Sequence, residues 1–136
     1  MVTIRTIYTG SLRTQATHVR SGMTLVTDAP VDNNGKGESF SPTDLLAASL
    51  GSCMLTVIGI EAEKQGFTID GTEVSILKIM ATNPRMVSGI EVVLKFPDVH
   101  YTELQKQIIK QKGLTCPVAL SLHQDIVQDV KFIFND

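Results

Sequence analysis

Residues 45–60 form a run of 16 without one charged side chain, and the four residues before it carry helix-start signals. Ser41-Pro42-Thr43-Asp44 sets a capping hydroxyl, a proline at the first helical position and a carboxylate at the third. A helix is therefore predicted from Pro42 to about Gln65, with Gly66 ending it. The run is apolar or small on every side, and charges return only at Glu61, Glu63 and Lys64, which read as a solvated helix end. Such a helix needs cover on all faces. At 16 residues the run is shorter than the ~20 that span a bilayer, so a buried core helix is expected and no membrane association. A chain of 136 residues has the length of one domain, here taken as 1–136. Its strands are few for wrapping such a helix. A second copy is expected to supply the missing side, giving a symmetric homodimer with this helix near the interface.

The cover is predicted to be sheet. Val2–Thr9, Leu12–Val19 and Met23–Asp28 read as a meander split by Gly10-Ser11 and Ser21-Gly22. A long loop, Ala29–Phe40, leads into the helix, and loops of that length are often functional. Beyond the helix, strands are expected at Thr72–Ala81 and Ile90–Phe96, with a turn around Asn83-Pro84. In the second strand Ile90, Val92, Leu94 and Phe96 alternate with Glu91 and Lys95. Helical spacing runs from Tyr101 through Leu104 and Ile108 to Gly113. Cys116-Pro117 opens a short helix, and Ile126–Phe134 closes the chain as a strand. The order is βββ-α-ββ-α-α-β, an α+β fold with antiparallel sheets around a central buried helix.

Twelve basic and fourteen acidic residues give a net charge of −2, and the densest basic group is Lys106, Lys110 and Lys112. A nucleic-acid partner would need a basic stripe, so none is expected. Met1–Thr9 lacks a signal-peptide run, and a cytoplasmic location is expected. In that reducing setting the two cysteines point to redox or metal chemistry rather than a structural clip. His100 and His123 have no metal-ligand spacing with either cysteine, so no metal is expected.

Cys53 sits in the middle of the apolar helix. A free cysteine there is ordinarily a small core hydrophobe. As a nucleophile it lacks the dipole of a helix N-terminus and needs a neighbouring Arg or protonated His. Cys116, before Pro117, falls at or beside an N-cap, where unpaired N–H groups favour a thiolate; the plain alternative is a loop cysteine before a proline. The two are 63 positions apart. As a reversible pair, one would attack and the other resolve, but spacing alone does not bring them together.

Two blocks of the chain resemble the OsmC/Ohr family of thiol-dependent peroxidases. Ser41-Pro42-Thr43-Asp44-Leu45-Leu46-Ala47-Ala48-Ser49-Leu50-Gly51-Ser52-Cys53 is similar to the stretch leading to the family's reactive cysteine, and Cys116-Pro117-Val118-Ala119, with Leu122, to its Cys-Pro-Val block. The resemblance implies an intertwined homodimer with active sites at the interface. It also implies that Cys53 attacks the peroxide and Cys116 resolves, without a cofactor and with an external dithiol as reductant.

Thr43 stands where the best-known members carry a Glu, and Asp44 reads as a cap. Arg13 is the positional match for the family's arginine, with Arg20 as the alternative. Residues His18–Gly22, Thr27–Pro30 and the loop 32–40 are similar to a less characterised branch. If Leu12–Val19 is one strand, His18 shares a face with Leu12, Thr14 and Ala16 and points inward, either as a core histidine or as a proton partner of Cys53. Glu38 is the carboxylate that would orient the cation. Tyr8, Phe40 and Met54 read as packing. The leading expectation is a cysteine peroxidase for organic hydroperoxides; the competitors are a redox sensor of the same fold without efficient turnover and a hotdog-fold thioesterase.

Overall fold

The computed structural model describes residues 1–135. The chain forms two compact units, Met1–Leu46 and Ala47–Asp136. The first is a three-stranded antiparallel meander of β1 (Ile4–Gly10), β2 (Arg13–His18) and β3 (Thr24–Asp28). Ser11 and Leu12, both with positive φ, make the β1–β2 turn, and Leu12 is therefore not part of a strand. The loop from Ala29 to Phe40 contains a single 3-10 turn, Val31–Asn33. It folds back on its own start, because the Gly35 and Gly37 amides donate to the carbonyls of Pro30 and Ala29. A Cβ at Gly35 would overlap the Ala29 carbonyl, so only glycine fits there.

Helix α1 spans Pro42–Gln65 as its caps dictate. Ser41 Oγ accepts from the Asp44 amide at 3.1 Å, and Asp44 Oδ2 accepts from the Ser41 amide at 2.9 Å. That reciprocal box satisfies two orphan donors, and Gly66, at φ +79°, terminates the helix. By length and composition α1 is long enough to cross a membrane, more than the 16-residue uncharged run suggested. Its stripe Ala47, Leu50, Gly51, Met54, Ile58 and Ala62 is buried in the core of the second unit. The expectation of burial on every face is not met within one chain: Leu46 and Ile60 are exposed, and Leu55 and Val57 only half-buried. One chain covers one side of the helix.

The second sheet has the order β4 (Glu73–Ala81), β5 (Met86–Lys95), β6 (Val127–Ile133). The β4–β5 pair is antiparallel, but β5 and β6 run parallel, a departure from all-antiparallel sheets. The connection through α2 (Glu103–Leu114) and α3 (Pro117–Ser121) supplies the crossover that parallel pairing requires. Central strand β5 buries Val87, Ile90, Val92 and Leu94. An added Cβ at Gly51 of α1 would meet Ile76 and Val74 of β4, and one at Gly113 of α2 would meet Ile58 of α1 and Phe132 of β6. Glycines at these two contacts let the layers approach. Lys106 and Lys110 lie 5.3 and 6.0 Å from the centre of the Phe134 ring, so two of the three clustered lysines are occupied in cation–π contacts.

Candidate active site

The second unit brings the two cysteines together. Cys53 is half-buried on α1 and Cys116 is fully buried, and both are free thiols. Cys53 is the titratable neighbour of Cys116, near enough to act on its thiol. Cys116 is the N-cap of α3, and its Sγ accepts from the Ala119 amide at 3.4 Å. The expected cap geometry is present, yet it does not decide the ionisation. Burial pushes the Cys116 thiol up, and the neighbouring Cys53 adds to that, outweighing the Ala119 and Val118 amides that pull it down. Cys116 is thus held toward its thiol form.

The first unit assembles a separate charge cluster. Arg13 opens β2 directly across from Asp28, the last residue of β3. Its Nη2 lies 3.4 Å from Asp28 Oδ2 and 3.1 Å from Glu38 Oε2. The same Asp28 oxygen accepts from the Glu38 amide at 3.0 Å. These contacts raise the Arg13 guanidinium above its usual range, the Asp28 bond contributing most and Glu38 next. Asp28 is held below the ordinary carboxylate range, chiefly by the Glu38 amide and then by Arg13. Glu38 thus pairs with Arg13, while His18, whose cation it was expected to orient, pairs with Ser21. Asp28 was not singled out from the sequence, although a carboxylate ending an apolar strand at Thr27-Asp28-Ala29-Pro30 was a usable signal.

His18 ends β2, five residues and about 17 Å along the strand from Arg13. It is exposed, and its Nδ1 is 2.6 Å from Ser21 Oγ, so within this chain it does not point inward. Thr14, Ala16 and His18 keep the expected two-residue alternation along β2, but His18 is the last residue of the strand and that end is exposed. At the start of α1, Thr43 Oγ1 is 3.3 Å from Ser41 Oγ, and the Asp44 carboxylate is engaged in the capping box. Among the described residues no group of three or more His, Cys, Asp and Glu side chains is arranged to hold a metal ion.

A profile described as OsmC-like protein matches residues 35–131. Among solved structures, a Psychrobacter arcticus 273-4 protein, described provisionally as an osmotic stress induced and detoxification response protein, is 48% identical, with a TM-score of 0.93 over 97% of this chain and 96% of that one. An organic hydroperoxide resistance protein OsmC from Legionella pneumophila matches at 13% identity, TM-score 0.74, over 96% and 94% of the two chains. One from Elizabethkingia anophelis matches at 16% identity, TM-score 0.70, over 99% and 98%. No curated protein matches. The two separate three-stranded sheets and these likenesses replace the hotdog alternative with the OsmC-like fold. With one family profile spanning most of its length and a relative nearly half identical along almost all of it, the chain belongs to the OsmC-like protein family.

Proposed function

We propose that the protein reduces organic hydroperoxides through Cys53 and Cys116. The observation that carries this reading is a half-buried thiol on a long helix with a buried thiol, the N-cap of α3, as its neighbour. In the first step the Cys53 thiolate attacks the distal peroxide oxygen; the O–O bond breaks and the alkoxide takes a proton to leave as alcohol. Cys53 becomes a sulfenic acid. Cys116 then attacks that sulfur, its thiol proton joins the departing hydroxide, and water leaves as the disulfide forms. An external dithiol returns two electrons and two protons. Arg13 is the cation assigned to favour the Cys53 thiolate, on the family resemblance and on its charge being held by Asp28 and Glu38. The names of the Legionella and Elizabethkingia proteins agree with a role in hydroperoxide resistance.

The working unit in this reading is a cytoplasmic homodimer. The β1–β3 sheet leaves Ile4, Ile7, Tyr8, Met23 and Leu25 exposed, and α1 leaves Leu46 and Ile60. The buried side chains of the first unit are polar: Thr27, Asp28 and Ser41. A sheet without an apolar core of its own and a half-covered apolar helix both call for a second copy.

A redox sensor is the second reading, favoured by Thr43 at the family's Glu position. Peroxide consumption with excess dithiol separates the two. Repeated turnover, lost in Cys53→Ser, supports the peroxidase. One equivalent consumed per chain, with no further turnover, supports the sensor.

A further inference from the structure

We propose that Asn34 is a gated modification site: the closed loop 29–40 shields it from spontaneous deamidation, and the isoaspartyl product formed when the loop opens cannot close it again. The inference rests on the first unit alone and is independent of the redox reading.

Of the chain's asparagines, Asn34 alone precedes a glycine. Glycine sets no side chain beside its amide nitrogen, so that nitrogen is free of steric cover as it approaches the Asn34 side-chain carbonyl. In the reaction the Gly35 nitrogen bonds to Asn34 Cγ, the Cγ–Nδ2 bond breaks, and ammonia leaves with the Gly35 proton. Water then opens the cyclic imide at either carbonyl, giving aspartate or isoaspartate; nothing is oxidised or reduced. Asn34 is exposed, so water and base reach it. The folded loop nevertheless holds the reacting atoms apart. At φ 68° and ψ 6° the Gly35 nitrogen eclipses the backbone nitrogen of Asn34, whereas ring closure needs it to eclipse Cβ. Its N–H is also committed to the Pro30 carbonyl at 2.9 Å. Turning it would carry Gly35 out of a slot against the Ala29 carbonyl that has no room even for a Cβ. Cyclisation therefore waits for the loop to open.

The isoaspartyl product runs its backbone through the former side chain, one carbon longer between Asn34 Cα and the Gly35 nitrogen. A slot that excludes a Cβ does not take that carbon either. Gly35 then loses the Pro30 carbonyl, Gly37 loses the Ala29 carbonyl at 3.2 Å, and the Glu38 amide is drawn from Asp28. The aspartyl product keeps the ordinary backbone, and αL is a conformation that aspartate tolerates.

The test is incubation of the full chain in mildly alkaline buffer, folded and unfolded in urea, with peptide mapping by mass spectrometry to follow conversion at Asn34. The folded chain should convert about tenfold or more slowly than the unfolded one. Gly37→Ala sets an alanine at φ 64° with its Cβ 2.7 Å from Val31 Cγ2, which strains the loop away from Asn34 itself. That variant, folded, should convert about threefold or more faster than the folded parent. The isoaspartyl form, separated by ion exchange, should show fast amide exchange at Gly37 and Glu38, whereas Asn34→Asp, which carries the charge on an ordinary backbone, should keep the parent's protection. Equal conversion in the folded and unfolded chains, or a Gly37→Ala rate equal to the parent's, overturns the gate. Parent-like protection in the isoaspartyl form, or protection lost equally in Asn34→Asp, overturns the claim that the longer backbone holds the loop open. If Gly37→Ala does not fold, the parent's two rates and the exchange of the isoaspartyl form decide.

Discussion

Gly51, two residues before Cys53, lets α1 approach the sheet closely. A Cβ there would lie 2.7 Å from Ile76 Cδ1 and 3.2 and 3.3 Å from the two Val74 methyls. Gly51→Ala gains about 1 kcal/mol of helix propensity. It loses about 1–3 kcal/mol to overpacking, because Ile76 must leave its rotamer and Val74, stiff at χ1, gives little. The expected net is about 1 kcal/mol of destabilisation, roughly 4 °C in Tm for a chain this size. Ile76→Val alone removes the atom in closest contact and costs about 1 kcal/mol by the methylene lost. The two changes should not add: the new methyl occupies the space that Cδ1 vacates, so the double variant should sit near the single ones rather than about 2 kcal/mol below the parent. Urea unfolding of all four proteins at one fixed concentration measures the coupling. Additive costs, or a Gly51→Ala protein stabilised by the full propensity gain, would refute the packing argument.

Gly35→Ala should break the turn against Ala29 and lower stability by about 2 kcal/mol or more. Amide exchange at Gly35, Gly37 and Glu38 should accelerate in that variant, and unchanged protection would contradict it. Asp28, lowered in the fold, contributes stability that is present above its unfolded value of about 4 and is lost as pH falls from there through the folded value. Acid unfolding curves should accordingly be shallower in Asp28→Asn than in the parent; identical curves would mean Asp28 is not held down. With Cys116→Ser, excess hydroperoxide should drive Cys53 on to sulfinic acid, read by mass spectrometry, whereas the parent stops at the disulfide.

The bounds of α1 were legible because Ser41, Pro42, Asp44 and Gly66 each act locally, through caps and a left-handed terminator. Short-range chemistry of that kind leaves its mark in consecutive residues. The parallel β5–β6 pairing left none, since strand direction depends on where a crossover returns the chain. Cys116 was legible as a cap but not as a raised thiol, because burial comes from β-strand and helix neighbours distant in sequence. Alternation placed His18 on one face with Thr14 and Ala16, as β2 has it, but spacing does not say whether that face is covered, and His18 is exposed at the strand end. Arg13 and Glu38 were each visible as charged residues, yet Asp28, which joins them, required the β2–β3 register. Half-exposure of α1 follows from how much sheet one chain can supply, and the missing cover is assigned above to a second copy.

The most direct test of the redox assignment is a single-turnover oxidation of the reduced protein with one equivalent of cumene hydroperoxide, followed by acid quench, peptide mapping and mass spectrometry. The expected product is one intramolecular disulfide between Cys53 and Cys116, two hydrogens lighter than the reduced chain, formed together with one equivalent of the alcohol. Alcohol formation with both thiols left free, or oxidation that begins at Cys116 in the Cys53→Ser variant at the parent rate, would contradict it.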